Sequence, residues 1–234
     1  IIMLGGVTVN ILLAFIIYAA ILMVWGEDKI PNQSLKNGLW VTDSLMYEIG
    51  LRDGDKIMAV NKDSIKYFDD IPKKILFSGG GQLQIVRNEK EHTIEIPRSL
   101  IGQLVEKKKV KGRLFSPRIP AIIGDFSKDD TSNAKRAGLQ YWDKIVKVDS
   151  VIVSYLDEAA AYFGTKKNGK VIFTVERKGN LISLPVHIDG DGKMNPTLLS
   201  FKQYDSLNIF DFKHTIYNFF TSFPSGFNLA ITFL

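Results

Sequence analysis

Cysteine is absent from all 234 residues, so the chain offers no disulfide, no thiolate nucleophile and no thiolate metal ligand. That absence tolerates an oxidising compartment without requiring one. Histidine is scarce: His92, His187 and His214 lie far apart, and none is followed by glutamate. A helical zinc site of the His-Glu-x-x-His type, with two histidines one turn apart and a glutamate to activate water, therefore cannot be assembled from this sequence. No dense basic stripe exists, so nucleic acid is not an expected partner; a net charge of +5 fits attraction to anionic headgroups or simple solubility. The one basic cluster, Lys107-Lys108-Lys109 with Lys111 and Arg113, reads as a solvated turn. Gly79-Gly80-Gly81 lacks the Lys-Ser/Thr of a phosphate cradle, and no Ser-His-Asp set stands out.

Charge itself is missing from the start. Ile1 to Gly26 carries no ionic side chain, and Glu27 begins a normally charged chain. As a helix this run would be roughly 39 Å long, against a hydrocarbon core of about 30 Å. A secretory signal is the nearest alternative, but the run is too long for one and has neither a basic leader nor a clear cleavage site. A membrane-spanning helix over 1–26 is expected, with Trp25 as an interfacial anchor. Asn10 is the anomaly in it, because an amide at membrane depth is costly without partners. Gly6, one turn earlier, lets another backbone approach on the same face. Two readings stay open: a helix-packing interface with one interhelical hydrogen bond, or a polar contact to a functional core made by other helices.

What the rest of the chain has is a duplication. GLRDGDKIMAVN (50–61) returns as GLQYWDKIVKVD (138–149), an offset of 88 residues. Further on, 82–97 lies over 172–187 at an offset of 90, with Arg87 over Arg177 and Ile94 over Leu184. A period near 90 is too long for a solenoid unit and suits a small domain. In the first copy, Ile57 to Val60 reads as a strand with both faces partly apolar. A turn over 61–64 and a short strand from Ile65 follow. A helix to Phe77 comes next, capped by Asp69 or Asp70, with Pro72 in its first turn. Strands 83–87 and 93–96 then form a hairpin across Asn88–Glu91. The second copy repeats this plan with a strand at 144–149, a helix at 156–164 and strands at 171–177 and 181–187.

A strand, a second short strand, one helix and a closing hairpin resemble a PDZ domain, and the Gly-Leu-x-x-Gly-Asp-Lys-Ile-x-x-Val-Asn run resembles its bacterial, circularly permuted form. The second copy departs from the pattern, with Trp142 where the turn glycine belongs. PDZ domains hold an extended peptide beside a strand, with a helix supplying side-chain pockets. The resemblance places that groove at Gly38, Leu39, Trp40, Val41, Ile71 and Ile75 in the first copy. In the second it falls at Ala121, Ile122, Ile123, Ala159 and Phe163. These same residues also read as ordinary core.

The order of parts, a span with Gly6-x-x-x-Asn10 and then two PDZ copies, resembles the site-2 protease family of intramembrane zinc metalloproteases. Within it, the chain is similar to the regulator of sigma E protease (RseP) branch in its Bacteroidetes-like form. That resemblance implies a mixed α/β membrane-protein fragment. Its parts would be a transmembrane helix (1–26), a first PDZ-like domain (27–100), a linker (101–118) and a second PDZ-like domain (119–195). A membrane-proximal segment (196–234) would lead to a further span and contain an amphipathic helix, with Ile216, Phe219, Phe220 and Phe223 at helical spacing. That helix would lie at the membrane interface or pack on the second copy. The opening at Ile1 rather than methionine, and the apolar stop at Leu234, fit a piece of a longer chain.

The resemblance further implies zinc in the intact parent and none bound by this segment, since neither His-Glu-x-x-His nor the Leu-Asp-Gly ligand motif is present. It implies a bacterial inner membrane with the PDZ pair on the periplasmic side. Its substrates would be single-pass membrane proteins such as anti-sigma factors or signal-peptide remnants, which the pair would admit by size or read by their tails. The competing expectation is a membrane-tethered PDZ scaffold or chaperone without protease activity. A secreted-type serine protease accessory region fits less well, because the repeat follows a span with an asparagine inside it.

Overall fold

Twenty-four residues without a formal charge set the first element, and they fold as one helix, α1 (Ile2–Trp25), in the computed structural model. The structure describes residues 2–107, 113–126, 131–191 and 199–233. Lys108, Lys109 and Lys111 of the basic cluster lie outside them. The chain separates into two compact units, Ile1–Pro31 with Phe212–Leu234, and Asn32–Asp211.

In the first unit, α1 ends where Gly26 takes a left-handed conformation (φ +68°). Next, β1 (Glu27–Lys29) runs antiparallel to the late strand Lys213–Thr215, pairing Asp28 with His214. A C-terminal helix, Phe219–Phe233, then packs along α1. The contact is close because it is made by small residues: a Cβ added to Gly226 would stand 2.8 Å from the Ala19 backbone nitrogen. Phe15 and Phe227 meet beside it with ring centroids 4.8 Å apart. This helix thus finds a partner that neither sequence-based alternative named. It begins at Phe219, so Ile216 precedes it and does not share its periodicity.

Within 1–31, Thr8–Trp25 is long and apolar enough to cross a membrane, with a mean hydropathy of 2.3. Most of its outward side chains are apolar too, Asn10 and Thr8 excepted: Val24 and Trp25 are each 70% exposed.

The second unit is the duplication. Its first repeat contains β2 (Leu39–Val41), α2 (Ser44–Glu48), β3 (Lys56–Val60), β4 (Asp63–Ser64), α3 (Ile71–Phe77), β5 (Gly81–Arg87) and β6 (Lys90–Ile96). The connection carries α4 (Arg98–Lys107) and β7 (Phe115–Pro117). The second repeat contains α5 (Asn133–Arg136), β8 (Lys144–Val148), β9 (Val151–Ile152), α6 (Leu156–Gly164), β10 (Lys170–Arg177) and β11 (Asn180–His187). After it come α7 (Phe201–Ser206), then β12 (Lys213–Thr215) and α8 (Phe219–Phe233), the strand and helix of the first unit. The two four-stranded antiparallel sheets have one topology, β4-β3-β5-β6 and β9-β8-β10-β11.

Local chemistry explains the shared shape. Each hairpin turns on two residues with positive φ, Asn88 and Glu89 in one and Lys178 and Gly179 in the other. Such turns match the right-handed strand twist, and here they are tighter than the four-residue turn over 88–91 that the sequence suggests. Each central strand carries a bulge, at Met58 and at Val146. The bulge releases a carbonyl that accepts from Ile65 N–H (2.8 Å) in one repeat and Val153 N–H (3.0 Å) in the other. It also breaks the simple in-out alternation, so that Ala59 and Val60 are both buried. The α3 cap differs from expectation. A 3-10 turn at Phe68–Asp70 runs straight into the helix, leaving Asp70 in helical conformation with no side-chain cap bond.

Candidate functional site: strand edges and the joint between repeats

Leu39 and Val41 on β2 and Ile71 and Ile75 on α3 point into the first core, each no more than 1% exposed, while Trp40 is half-buried. Ala121, Ile123, Ala159 and Phe163 belong to the second core, and Ile122 is buried beside them. Gly38 has φ +71°, and a Cβ there would fall 2.2 Å from the Gly54 carbonyl, so glycine is needed for the approach of two loops.

Both edges of the two groove strands are bonded within the chain. On one side of β2, Leu39 N–H donates to Asp55 O (2.9 Å), Gly54 N–H to Leu39 O (2.8 Å) and Val41 N–H to Asp53 Oδ1 (2.7 Å). On the other side β7 pairs antiparallel, Trp40 opposite Ser116, and Arg118 N–H extends the ladder to Gly38 O. In the second repeat, Ile123 N–H donates to Asp143 O (2.9 Å) and Trp142 N–H to Ile123 O (2.9 Å). The opposite edge is covered by the segment around α7. Leu199 N–H reaches Ile122 O at 3.4 Å, and the Tyr204 hydroxyl donates to Pro120 O at 2.9 Å. Tyr204 is fully buried, and burial pushes its phenol up to about 12. A peptide adding a strand at either place would have to displace these bonds.

The repeats meet at Arg118, which leaves β7 and reaches α6. Its Nε lies 2.9 Å from Asp157 Oδ2, and its terminal nitrogen lies 2.8 Å from both Asp157 and Glu158. The guanidinium also stacks over Tyr155, 4.1 Å from the ring centroid, and the Tyr155 hydroxyl donates to Asn37 Oδ1 of the first repeat (3.2 Å). Burial raises the Asp157 carboxyl above its ordinary value, against the opposing hydrogen bond and charge of Arg118. On the other partner burial disfavours the cation, and Asp157 and Glu158 outweigh it and raise Arg118. Desolvating both charges offsets much of their attraction, so a buried pair of this kind fixes geometry more than it adds stability.

A second ionic motif is repeated, and sequence reading aligned its members without pairing them. Asp55 and Asp143 are fully buried, and each holds an arginine bidentately: Arg87 at 2.7 and 2.7 Å, Arg177 at 2.6 and 2.6 Å. The same arginines reach Gly50 O and Gly138 O, while Arg52 N–H and Gln140 N–H donate to the two carboxylates. These contacts lock the Gly-Leu loop to the hairpin, so the quoted motif is structural. The only signal available beforehand was that Asp55 with Asp143 and Arg87 with Arg177 recur together.

Gly6 and Asn10 both lie on α1, and Asn10 is exposed on its surface. Among the described residues, no three His, Cys, Asp or Glu side chains stand close enough to hold a metal ion.

No protein-family model matches the chain. It is 32% identical over 134 residues to a protein of Rickettsia conorii named "Putative zinc metalloprotease RC0203", covering 56% of this chain and 35% of that one. It is 28% identical over 193 residues to a Borreliella burgdorferi protein named "Putative zinc metalloprotease", covering 81% of this chain and 41% of that one. The chain thus spans well under half the length of these relatives. Among solved structures, an HtrA-type protease with a bound decapeptide matches at 18% identity over 47% of this chain and 40% of that one, with a TM-score of 0.24.

Proposed function

We propose that this chain is the non-catalytic, membrane-anchored part of an intramembrane zinc metalloprotease of the site-2 type, and that its two PDZ-like repeats gate access of membrane-protein substrates. The similarity to two proteins named as zinc metalloproteases supports a protease-associated role. In this reading the zinc ligands lie in parts of the parent outside this chain. The Thr8–Trp25 helix anchors it in a bacterial inner membrane, the repeats stand on the periplasmic side, and Asn10 meets a polar partner on another helix of the parent.

The observation that carries gating is the closure of both groove strands by the chain's own segments. Occupied edges suit a size filter better than a reader of free tails. Joined through β7 and Arg118, the pair can stop a substrate with a bulky outer domain and pass a trimmed stub.

The test is the complete reading frame, purified in membranes with a single-pass test substrate. We expect a His-Glu-x-x-His motif outside residues 1–234, and cleavage that a chelator stops and added zinc restores. A complete frame without that motif, or zinc-loaded protein that cleaves nothing, would favour the scaffold reading instead.

A further inference from the structure

The repeats can be superposed by their buried helix positions, Ile71 on Ala159 and Ile75 on Phe163, all four inside their cores. On that register Lys74 corresponds to Tyr162, and Asn61 to Asp149. In the second repeat Tyr162 reaches from α6 to the end of β8, where its hydroxyl donates to Asp149 Oδ2 at 2.8 Å. The Lys166 ammonium stands 5.6 Å from its ring centroid.

The first repeat has no aromatic side chain at that position. Lys74 instead extends to Ser64 O (3.1 Å), and a cleft of about 250 Å³ remains between the end of β3 and α3. Val60, Asn61, Asp63, Lys73, Lys74, Phe77 and Ser78 line it. Phe77 is 84% exposed, far more than an aromatic side chain usually is in a folded domain.

We propose that this cleft docks a tyrosine side chain carried on an acidic protein segment, which fills in trans the place that Tyr162 fills in cis. Val60 and Phe77 provide the apolar walls for a ring. The Asn61 amide sits where Asp149 receives the phenol in the other repeat; its Oδ1 accepts from Gln82 N–H (2.8 Å), and its Nδ2 makes a long 3.4 Å contact with Gly80 O. Lys73 and Lys74 set two positive charges against the single acid Asp63 among the lining residues, so acidic flanks are complementary. A cation near the incoming ring would repeat the Lys166–Tyr162 arrangement. This inference rests on the internal repeat and not on the protease reading, so either can fail alone.

The test uses the full chain in lipid nanodiscs and the probe acetyl-Glu-Asp-Tyr-Glu-Glu-amide, followed by amide chemical shifts. We expect saturable shifts centred on Asn61, Lys74 and Phe77. Binding should weaken roughly tenfold when alanine replaces the probe's tyrosine, the loss expected for one aromatic anchor. The double variant Asn61→Asp/Lys74→Tyr should fill the cleft from within, keep its melting temperature and lose the shifts. Lys73→Glu should weaken binding without filling the cleft, a check should the double variant fold poorly. Shifts centred elsewhere, an alanine probe that binds equally well, or a folded double variant that still binds would each overturn the proposal.

Discussion

Arg118 and Asp157, from different repeats, stand 2.8 Å apart in a contact that leaves Asp157 only 3% exposed at its side chain. The arginine's own backbone is bonded to Gly38 of the first repeat. One residue thus ties the ladder of β2 and β7 to the start of α6.

Arg118→Ala should cost about 3–5 kcal/mol, because it strands a buried carboxylate. Arg118→Lys should recover little of that, since an ammonium cannot reproduce the fork or the stacking on Tyr155. Urea unfolding of the three proteins checks this. Equal stability of the alanine variant would remove the clamp from the account.

Trp142 adopts φ +71°, where the first repeat has Gly54 at +89°. A bulky residue there is strained, and its ring keeps only a partial partner in Tyr141, with centroids 5.3 Å apart. Trp142→Gly should therefore stabilise the chain by about 1 kcal/mol, the relief of strain exceeding the entropy cost of glycine. A fall in melting temperature would mean that the indole contributes more than it costs.

The Asp149 carboxyl is held below the usual range by the Ile172 N–H and then by the Tyr162 hydroxyl. A folded value below the unfolded one, about 3.9, gives stability that is present above that pH and lost as pH falls through the depressed folded value. The stability gap between the native chain and Asp149→Asn should therefore be constant from pH 8 to 5 and close below about pH 4. Thermal melts across that range measure it. A gap that persists or widens in acid would contradict the assignment.

Because the chain lacks cysteine, helix packing can be read by cross-linking without background. Cysteines at Phe15 and Phe227, whose rings are in contact, should be joined readily in membranes by a short bis-maleimide cross-linker. Adding Gly226→Val should suppress the cross-link, since even a Cβ would meet the Ala19 backbone. Unchanged cross-linking would deny the close approach of α1 and α8.

Much of the second unit could be read in advance, because it is built from local signals written twice. The hairpins, α6 and the strand after each Gly-Leu motif fall close to where hydrophobic period and turn residues put them. What escaped is non-local. No periodicity says that β7 lies beside β2, or that Leu199 and Tyr204 return to cover the strand near Ile122. The bulges at Met58 and Val146 hid the true burial pattern, because an inserted residue shifts every later side chain to the other face. The groove candidates read as groove or as core from sequence, and the structure buries all but the half-buried Trp40. A strand and helix that could hold a ligand have the same apolar pattern as a strand and helix that close a core.

The proposed gating by size is tested most directly in the complete parent protein, with test substrates that share one transmembrane segment and carry outer domains of increasing diameter. The account predicts that cleavage falls sharply beyond a threshold diameter, and that Arg118→Ala, by loosening the joint between the repeats, raises that threshold while leaving cleavage of a short stub intact. Cleavage independent of diameter, or a threshold that Arg118→Ala does not move in protein shown to be folded, would contradict it.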